Sequence, residues 1–387
     1  MPWSNIKVSD QRELFFEKYI KNEQNIAELC RQFGISRPTA YKWIERGKSG
    51  LSFDNQSTAP HEQPNATPQD IIDEILAVKY RWPKWGAKKI RGSLLRNDPA
   101  RNLPSKTTIE NIFKKRGLIV PRKYRRRIAE RTEPLVNCQN PNDTWCIDFK
   151  GWSLTQDGHR FGPFTLMDAD SRFLLSCVRL DVDDTKHVWG VFDRNFREYG
   201  LPLRVRSDNG PPFATTAPGR ISTLTIKLIK CGVFPEWTDP GNPQQNGRQE
   251  RMHLTLKSEG IFPELPLTEQ IKKLNEFIEY YNFIRPHEAI GQKCPGDVYV
   301  SSERSWDGVL RSPEYPSHYK VGKVRDCGKM SWRGGDIYVS RVFQGEPLGI
   351  EETSEGFMVY YGPIILGTIG EQGLEFKRRP SRAKVKN

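Results

Sequence analysis

The chain has 387 residues, too long for one ordinary core, and its 60 Lys and Arg against 47 Asp and Glu leave a net charge of +13. Mean hydropathy is −0.67, and no apolar run approaches the roughly 18–20 residues of a spanning helix. A chain that crosses a membrane by helices is thereby excluded, and Met1-Pro2-Trp3-Ser4 carries no charged-then-apolar leader pattern. The seven cysteines are scattered at 30, 138, 146, 177, 231, 294 and 327, none in a C-x-x-C pair. That pattern argues against a disulfide framework and against a zinc site, and it reads as a cytoplasmic chain with reduced thiols. Net positive charge bears on partners rather than on fold, and here it favours a polyanion. Between Lys79 and Arg127 stand 17 Lys and Arg against two acids, Asp98 and Glu110, a local net of +15, so the remainder sums to −2. Charge concentrated in this way is what neutralising nucleic-acid phosphates requires.

In chain order, residues 11–47 read as helices. Ile26, Leu29, Cys30 and Phe33 stand at i, i+3, i+4 and i+7, one helical face. Gly34 stops that helix, Ser36 caps the next, and Arg37 to Arg46 carries Pro38 in its first turn. A helix, a short Gly turn and a second helix form a helix-turn-helix pattern over residues 1–50, with Arg37, Thr39 and Lys42 directed at a DNA major groove. Residues 51–66 are a polar linker. A second, more basic helix-turn-helix-like unit is expected over 67–120. Its short helix from Gly86 to Leu95 holds Lys88 and Lys89, and another helix from Ser105 to Lys115 ends near Gly117. Residues 121–140 form a basic linker, in which Arg122, Lys123, Arg125, Arg126 and Arg127 make an extended strap suited to a phosphate backbone.

Strand signals begin at Asp143. Trp145, Ile147 and Phe149 alternate with Cys146, Asp148 and Lys150, which places Asp148 opposite the apolar face. Strands at Phe161 to Asp168 and Arg172 to Leu180 complete a three-strand meander. A helix from Lys186 to Tyr199, a strand from Leu203 to Arg206, a helix from Ile221 to Cys231 and a strand from Val233 to Trp237 follow. Asn242 and Pro243 start a helix to about Glu259, and Leu267 to Phe283 is another. The whole, 141–305, is a mixed sheet with helices on its faces. From about Val321 short strands at Lys329 to Trp332, Asp336 to Val339, Gly356 to Tyr361 and Ile364 to Thr368 predict a small all-β barrel or sandwich over 306–376. A basic disordered tail, 377–387, is expected to close the chain. The fold class is thus multidomain α+β.

Three acids carry the candidate chemistry. Asp148 lies on the first strand of the mixed sheet, where an unpaired carboxylate is costly. Asp208 follows the fourth strand, at the carboxyl end where open sheets place ligands. Glu250 shares a helix face with His253, Leu254 and Lys257, so one end of that face can hold metal while Lys257 grips a phosphate. Carboxylate oxygens suit Mg²⁺ or Mn²⁺, and two such ions can clamp the attacking and leaving oxygens of an in-line displacement at phosphorus. No side-chain nucleophile is then required.

Asn142-Asp143-Thr144-Trp145-Cys146-Ile147-Asp148-Phe149-Lys150-Gly151-Trp152 resembles the first catalytic strand of bacterial insertion-sequence transposases related to retroviral integrases. Ser207-Asp208-Asn209-Gly210-Pro211-Pro212-Phe213-Ala214 resembles their second acid, and Pro240 to His253, with Glu250, their third. Tyr281-Asn282-Phe283-Ile284-Arg285-Pro286-His287 is similar to the segment that closes their catalytic domain. The subgroup it resembles most is the four-eighty-one type. This resemblance implies an RNase H-like catalytic core with Asp148, Asp208 and Glu250 as catalytic metal ligands for two Mg²⁺ or Mn²⁺ ions, and Lys257 on DNA near them. It implies a DNA transposase that frees 3′-OH ends at the termini of a mobile element and joins them to target double-stranded DNA by transesterification. It further implies a homo-multimer on paired ends in a bacterial cytoplasm, associated with the nucleoid. The 41 residues between Asp208 and Glu250 exceed the retroviral spacing, and the surplus falls in a loop around Thr215 to Leu224.

Overall fold

The computed structural model describes residues 7–55, 66–119, 135, 138–239, 242–354, 356–370 and 375–379. Arg122, Lys123, Arg125, Arg126 and Arg127 lie outside the described residues, as do most of the linker expected at 51–66 and the tail beyond residue 379. The chain divides into two compact units, Met1–Thr67 and Pro68–Asn387.

The first unit holds α1 (Val8–Ile20), α2 (Ile26–Phe33) and α3 (Arg37–Lys48). Asn25 opens α2 with a reciprocal cap: its side chain accepts from Glu28 N at 2.9 Å, and Glu28 Oε2 accepts from Asn25 N. Gly34 sits at φ 64°, a left-handed conformation with no Cβ penalty for glycine, and it turns the chain into α3. Ser36 caps α3 by accepting from Thr39 N. Phe15, Leu29, Ala40, Trp43 and Ile44 fill the core between the three helices. The expected end of the last helix is Arg46; it runs on to Lys48.

The second unit opens with α4 (Gln69–Arg81), α5 (Ala87–Asn97) and α6 (Lys106–Lys115), packed on Ile75, Trp85, Ile90, Leu94, Ile109 and Phe113. This trio is docked on the sheet domain that follows. Trp85 Nε1 donates to Tyr280 Oη at 2.7 Å, and Arg96 Nη2 reaches Asp297 Oδ1 at 2.6 Å. At Gly92 an added Cβ would come within 2.8 Å of Gln292 Cβ, so the close approach of α5 needs glycine there.

A five-stranded sheet forms the centre. Its strands are β1 (Thr144–Phe149), β4 (Phe164–Asp168), β5 (Leu174–Val178), β6 (Arg204–Ser207) and β7 (Phe234–Trp237), in the order β5-β4-β1-β6-β7. β4 and β5 run antiparallel in a meander with β1, whereas β6 and β7 are parallel to it. The single strand expected from Phe161 to Asp168 is in fact two. Gly162 approaches the backbone carbonyl of Lys150 too closely for a Cβ. The chain breaks there into a small hairpin, β2 (Ser153–Leu154) with β3 (Arg160–Phe161), before β4 begins.

Period-2 alternation sends the two faces of the sheet to different covers. Trp145, Ile147, Phe164 and Leu166 pack with α7 (Thr185–Tyr199) and α8 (Thr223–Lys230). Met167, Leu174 and Cys177 pack on the other side with Met252 and Leu256 of α9 (Gly247–Glu259) and Leu274 and Phe277 of α10 (Leu267–Glu279). Asn242 does not cap α9: residues Pro243–Asn246 make a separate 3-10 turn first, and α9 starts at Gly247. The helix expected to reach Phe283 ends at Glu279 and widens into a π turn, Tyr280–Ile284.

The C-terminal region is all-β. A five-stranded antiparallel sheet has the order β14-β13-β12-β11-β8: β8 (Lys320–Lys323), β11 (Pro347–Thr353), β12 (Gly356–Tyr361), β13 (Ile364–Ile369) and β14 (Phe376–Arg378). The hairpin of β9 (Lys329–Trp332) and β10 (Gly335–Tyr338) shares its core, as do Ile226 and Ile229 of α8. Strands β8, β11 and β14 have no counterpart in the sequence reading. Lys320–Lys323 and Phe376–Arg378 are edge strands with little apolar alternation to reveal them.

Candidate active site

The site is built on the adjacent parallel pair β1 and β6. Their register sets Cys146 against Arg206. Two residues beyond that pair come Asp148, near the end of β1, and Asp208, just past the end of β6, so both acids lie at the carboxyl ends of adjacent parallel strands. Asp148 shares the strand face of Cys146, the side covered by α9 and α10, because its odd-numbered neighbours Trp145 and Ile147 are committed to the α7 side. Asp208 leaves the end of β6 into a turn in which Gly210 N donates to Asp208 Oδ1 at 3.1 Å. Arg206, just before it, is anchored in a buried pair with Glu236 on β7, Nε to Oε2 at 2.6 Å.

Glu250 is brought alongside by a hydrogen-bonded tie between α9 and β4. Thr165, the residue paired across the sheet from Asp148, is fully buried. Its Oγ1 donates to Asp148 O at 2.9 Å and accepts from Gln249 Nε2 at 2.6 Å. His253 Nε2 lies 2.8 Å from the same oxygen. The single hydroxyl proton is used on the carbonyl, so His253 donates from Nε2 and keeps Nδ1 bare, 3.6 Å from Asp148 Oδ2. Burial, with Lys150 nearby, lowers the His253 pKa to about 4, so near pH 7 it is neutral and no counter-cation for Asp148.

Asp148 is pushed up to about 7, first by burial, then by the Asp208 carboxylate and, more weakly, by Glu250. Asp208 and Glu250 themselves are exposed at the mouth. Among the described residues no three His, Cys, Asp or Glu side chains stand close enough to share an ion in this arrangement. The donor types nevertheless suit a hard divalent cation: all three are carboxylates, Asp148 feels the charge of the other two, and no lysine or arginine among the described residues is ion-paired to any of them.

Lys257 is exposed on the last turn of α9, on the Glu250 face. In the first unit, Arg37 and Lys42 are exposed on α3, and Thr39 bonds its capping partner Ser36, Oγ to Oγ1, at 2.8 Å. Lys88 on α5 is exposed and ion-paired with Glu288, while its neighbour Lys89 is half-buried. Asp184 caps α7 by accepting from His187 N, and His287 is buried beyond α10. Sequence reasoning missed three residues. Thr165 and Gln249 are ordinary types whose role comes only from the pairing of α9 with β4. Asp168 read merely as the last residue of a strand. It is fully buried and accepts from Asn142 N, Ser171 N and Ser171 Oγ, so it locks the β4–β5 corner.

A mixed five-stranded sheet bearing carboxylates at the ends of its parallel pair, with a helix-turn-helix unit ahead of it, defines the class. Residues 139–243 and 231–295 each match a family described as integrase core domain, and residues 11–55 match one described as helix-turn-helix domain. Residues 139–295 are thus similar to an integrase core domain, and they follow a stretch similar to a helix-turn-helix domain. Among proteins it is similar to an uncharacterized protein of insertion element IS476 from Xanthomonas euvesicatoria, 26% identical over 70% of this chain and 76% of that protein. It is similar also to one of insertion element IS407 from Burkholderia multivorans, 24% identical over 74% of this chain and 96% of that protein. The transposase InsD of insertion element IS2 from Escherichia coli is 23% identical over 58% of this chain and 77% of its own length.

Proposed function

We propose that the chain is a DNA transposase, of the four-eighty-one type, that cuts and joins DNA at Asp148, Asp208 and Glu250. The observation that carries the reading is the placement of Asp148 and Asp208 at the carboxyl ends of the adjacent parallel strands β1 and β6, with α9 tied to β4 beside them, inside a region that matches an integrase core. The reaction is hydrolysis that frees a 3′-OH at each element end, then in-line attack of that hydroxyl on target DNA.

Asp148, Asp208 and Glu250 are the residues that would hold divalent ions, Mg²⁺ or Mn²⁺, two per site. Such ions, when bound, supply charge neutralisation at phosphorus and a lowered pKa of the attacking water or hydroxyl. Thr165 and Gln249 hold the backbone of β1 and the first turn of α9 in fixed relation, so the carboxylates meet the scissile phosphate preorganised. Lys257 grips a neighbouring phosphate from the same helix face. Arg37, Thr39 and Lys42 read the element end in the major groove, and the basic block after Lys79 binds the backbone. The domains divide the work: 1–50 and 67–120 on DNA, 141–305 in chemistry, 306–376 as an accessory β domain. The working form is a homo-multimer on paired ends in a bacterial cytoplasm.

The test is strand cleavage and joining on a labelled duplex carrying the element end, with Mg²⁺, Mn²⁺ or EDTA. Metal-dependent nicks and joined products are expected from the wild-type chain. Glu250→Gln and Asp208→Asn should lose them by at least about 100-fold while keeping duplex affinity. Tight binding without products under any metal would instead make the chain a DNA-binding regulator.

A further inference from the structure

A cavity of about 450 Å³ opens beside α9, away from the three acids. At about 100° per residue, Glu250, His253 and Lys257 occupy one side of this helix, and Arg248, Arg251 and Thr255 the other. The second group lines the cavity together with Lys89 of α5, Arg172 of the β4–β5 turn and Arg285. Five cations thus face one concavity, against the single carboxylate of Glu288.

These cations are poorly compensated. Glu288 is exposed and already paired with Lys88 outside the cavity. Arg285 is held by Glu259 through Nε at 3.1 Å and Nη2 at 3.2 Å. Arg172 and Arg248 each donate one Nη1 to the same neutral oxygen, Ala169 O, at 2.9 and 2.6 Å. Among the described residues, the side chains of Lys89 and Arg251 have no hydrogen-bond or ion-pair partner. Burial first, and then the neighbouring cations, depress each group here that can lose its charge. Lys89 is lowered to about 7 by burial and then by Arg285, and His287 beneath it to about 3 by burial, Arg285 and Lys89. Like charges gathered in a half-buried concavity raise the energy of the empty protein, and an anion with several acceptor oxygens removes that cost. An apolar or cationic ligand does not.

We propose that this cavity is a phosphate-binding site, separate from the carboxylate site, that takes a backbone phosphodiester of bound DNA. Lys89 comes from the basic helical trio and Arg248 and Arg251 from the catalytic helix, so one phosphate held here fixes the trio, the core and the DNA together. The assignment to DNA rests on the transposase reading; the anion site does not.

The test uses the full-length chain with Lys89→Met and Arg251→Gln. Inorganic pyrophosphate is followed by calorimetry and thermal melting in phosphate-free buffer, and duplex binding by anisotropy across a KCl series. The wild-type chain should bind pyrophosphate saturably, and each variant about tenfold or more weaker. Without anion, each variant should melt no lower than wild type, because repulsion is relieved; a residue needed for packing would melt lower. The slope of log K against log salt should drop by about 1 per removed cation. Loss of pyrophosphate binding with unchanged duplex affinity and slope overturns the DNA assignment and leaves a site for a free small anion. Unchanged pyrophosphate binding in both variants, or none in wild type, overturns the site. A wild-type chain that binds pyrophosphate but no duplex sinks the transposase reading and leaves the anion site standing.

Discussion

Asp148 is the one acid of the three that is half-buried, and its surroundings are arranged by neutral groups. Thr165 Oγ1 is bound to the Asp148 carbonyl, Gln249 and His253 at once. Thr165→Val keeps the shape and removes the oxygen, which leaves Gln249 Nε2 and His253 Nε2 buried without that partner. The expected cost is about 1–3 kcal/mol in denaturant unfolding, with joining slowed by about tenfold or more through loss of alignment and duplex affinity unchanged. His287 gives a pH dependence with a definite sign. Its folded pKa is about 3, below the ordinary 6.5, so the fold holds the neutral ring. The unfolded chain takes up a proton that the folded chain refuses. Stability from this group is therefore complete above pH about 6.5 and erodes as the pH falls from there toward 3. Denaturation midpoints measured at steps between pH 7 and 4 should decline, and less steeply in His287→Asn.

At the scale of elements, most helices announced themselves through end signals. Asn25 and Glu28, Gly34, Ser36 and Ser105 act locally, so each boundary follows from a few adjacent residues. Trp43 is the apolar anchor of the first unit, buried with the Arg12 guanidinium 4.0 Å from its ring centroid and Arg46 at 5.0 Å. Trp43→Ala should cost about 3–5 kcal/mol, enough to unfold a three-helix unit of this size. Because the two units are separately compact, the cooperative transition of the second unit should be unchanged in calorimetry. Sequence-specific binding should be lost and weak nonspecific binding retained. Where an element depended on distant contacts the sequence was less legible. β2 and β3 come from a close backbone approach at Gly162, the π turn after α10 follows the docking of Tyr280 on Trp85, and β8 and β14 are edges recruited by an existing sheet.

For the molecule as a whole, charge dominates binding. The block from Lys79 to Arg127 carries a net charge of +15, more than the +13 of the whole chain. Duplex affinity should therefore fall steeply with KCl, by roughly 10³-fold or more between 50 and 200 mM if six or more phosphates are neutralised. A flat response in the same titration would show that the block does not lie on DNA. The helical trio that carries much of this charge is joined to the catalytic sheet by Trp85, Lys88, Gly92 and Arg96. The basic trio and α9 consequently belong to one compact unit rather than to two tethered ones.

By itself the sequence determined most helices, the central strands, the basic block and the helix-turn-helix, and its resemblance to insertion-sequence transposases singled out the three candidate acids. The elements and the block depend on composition, periodicity or a cap a few residues long, and such signals survive without knowledge of what packs where. Only the tertiary structure decided that Asp148 and Asp208 lie at the same end of adjacent strands, because that depends on β1 and β6 being neighbours in parallel register. It alone separated Lys88, spent on Glu288, from Lys89, held in a cavity of arginines contributed from residues 172 to 285. Adjacent residues on a helix point about 100° apart, and which of the two meets an acid and which meets more cations is settled by the partner surface, far away in sequence.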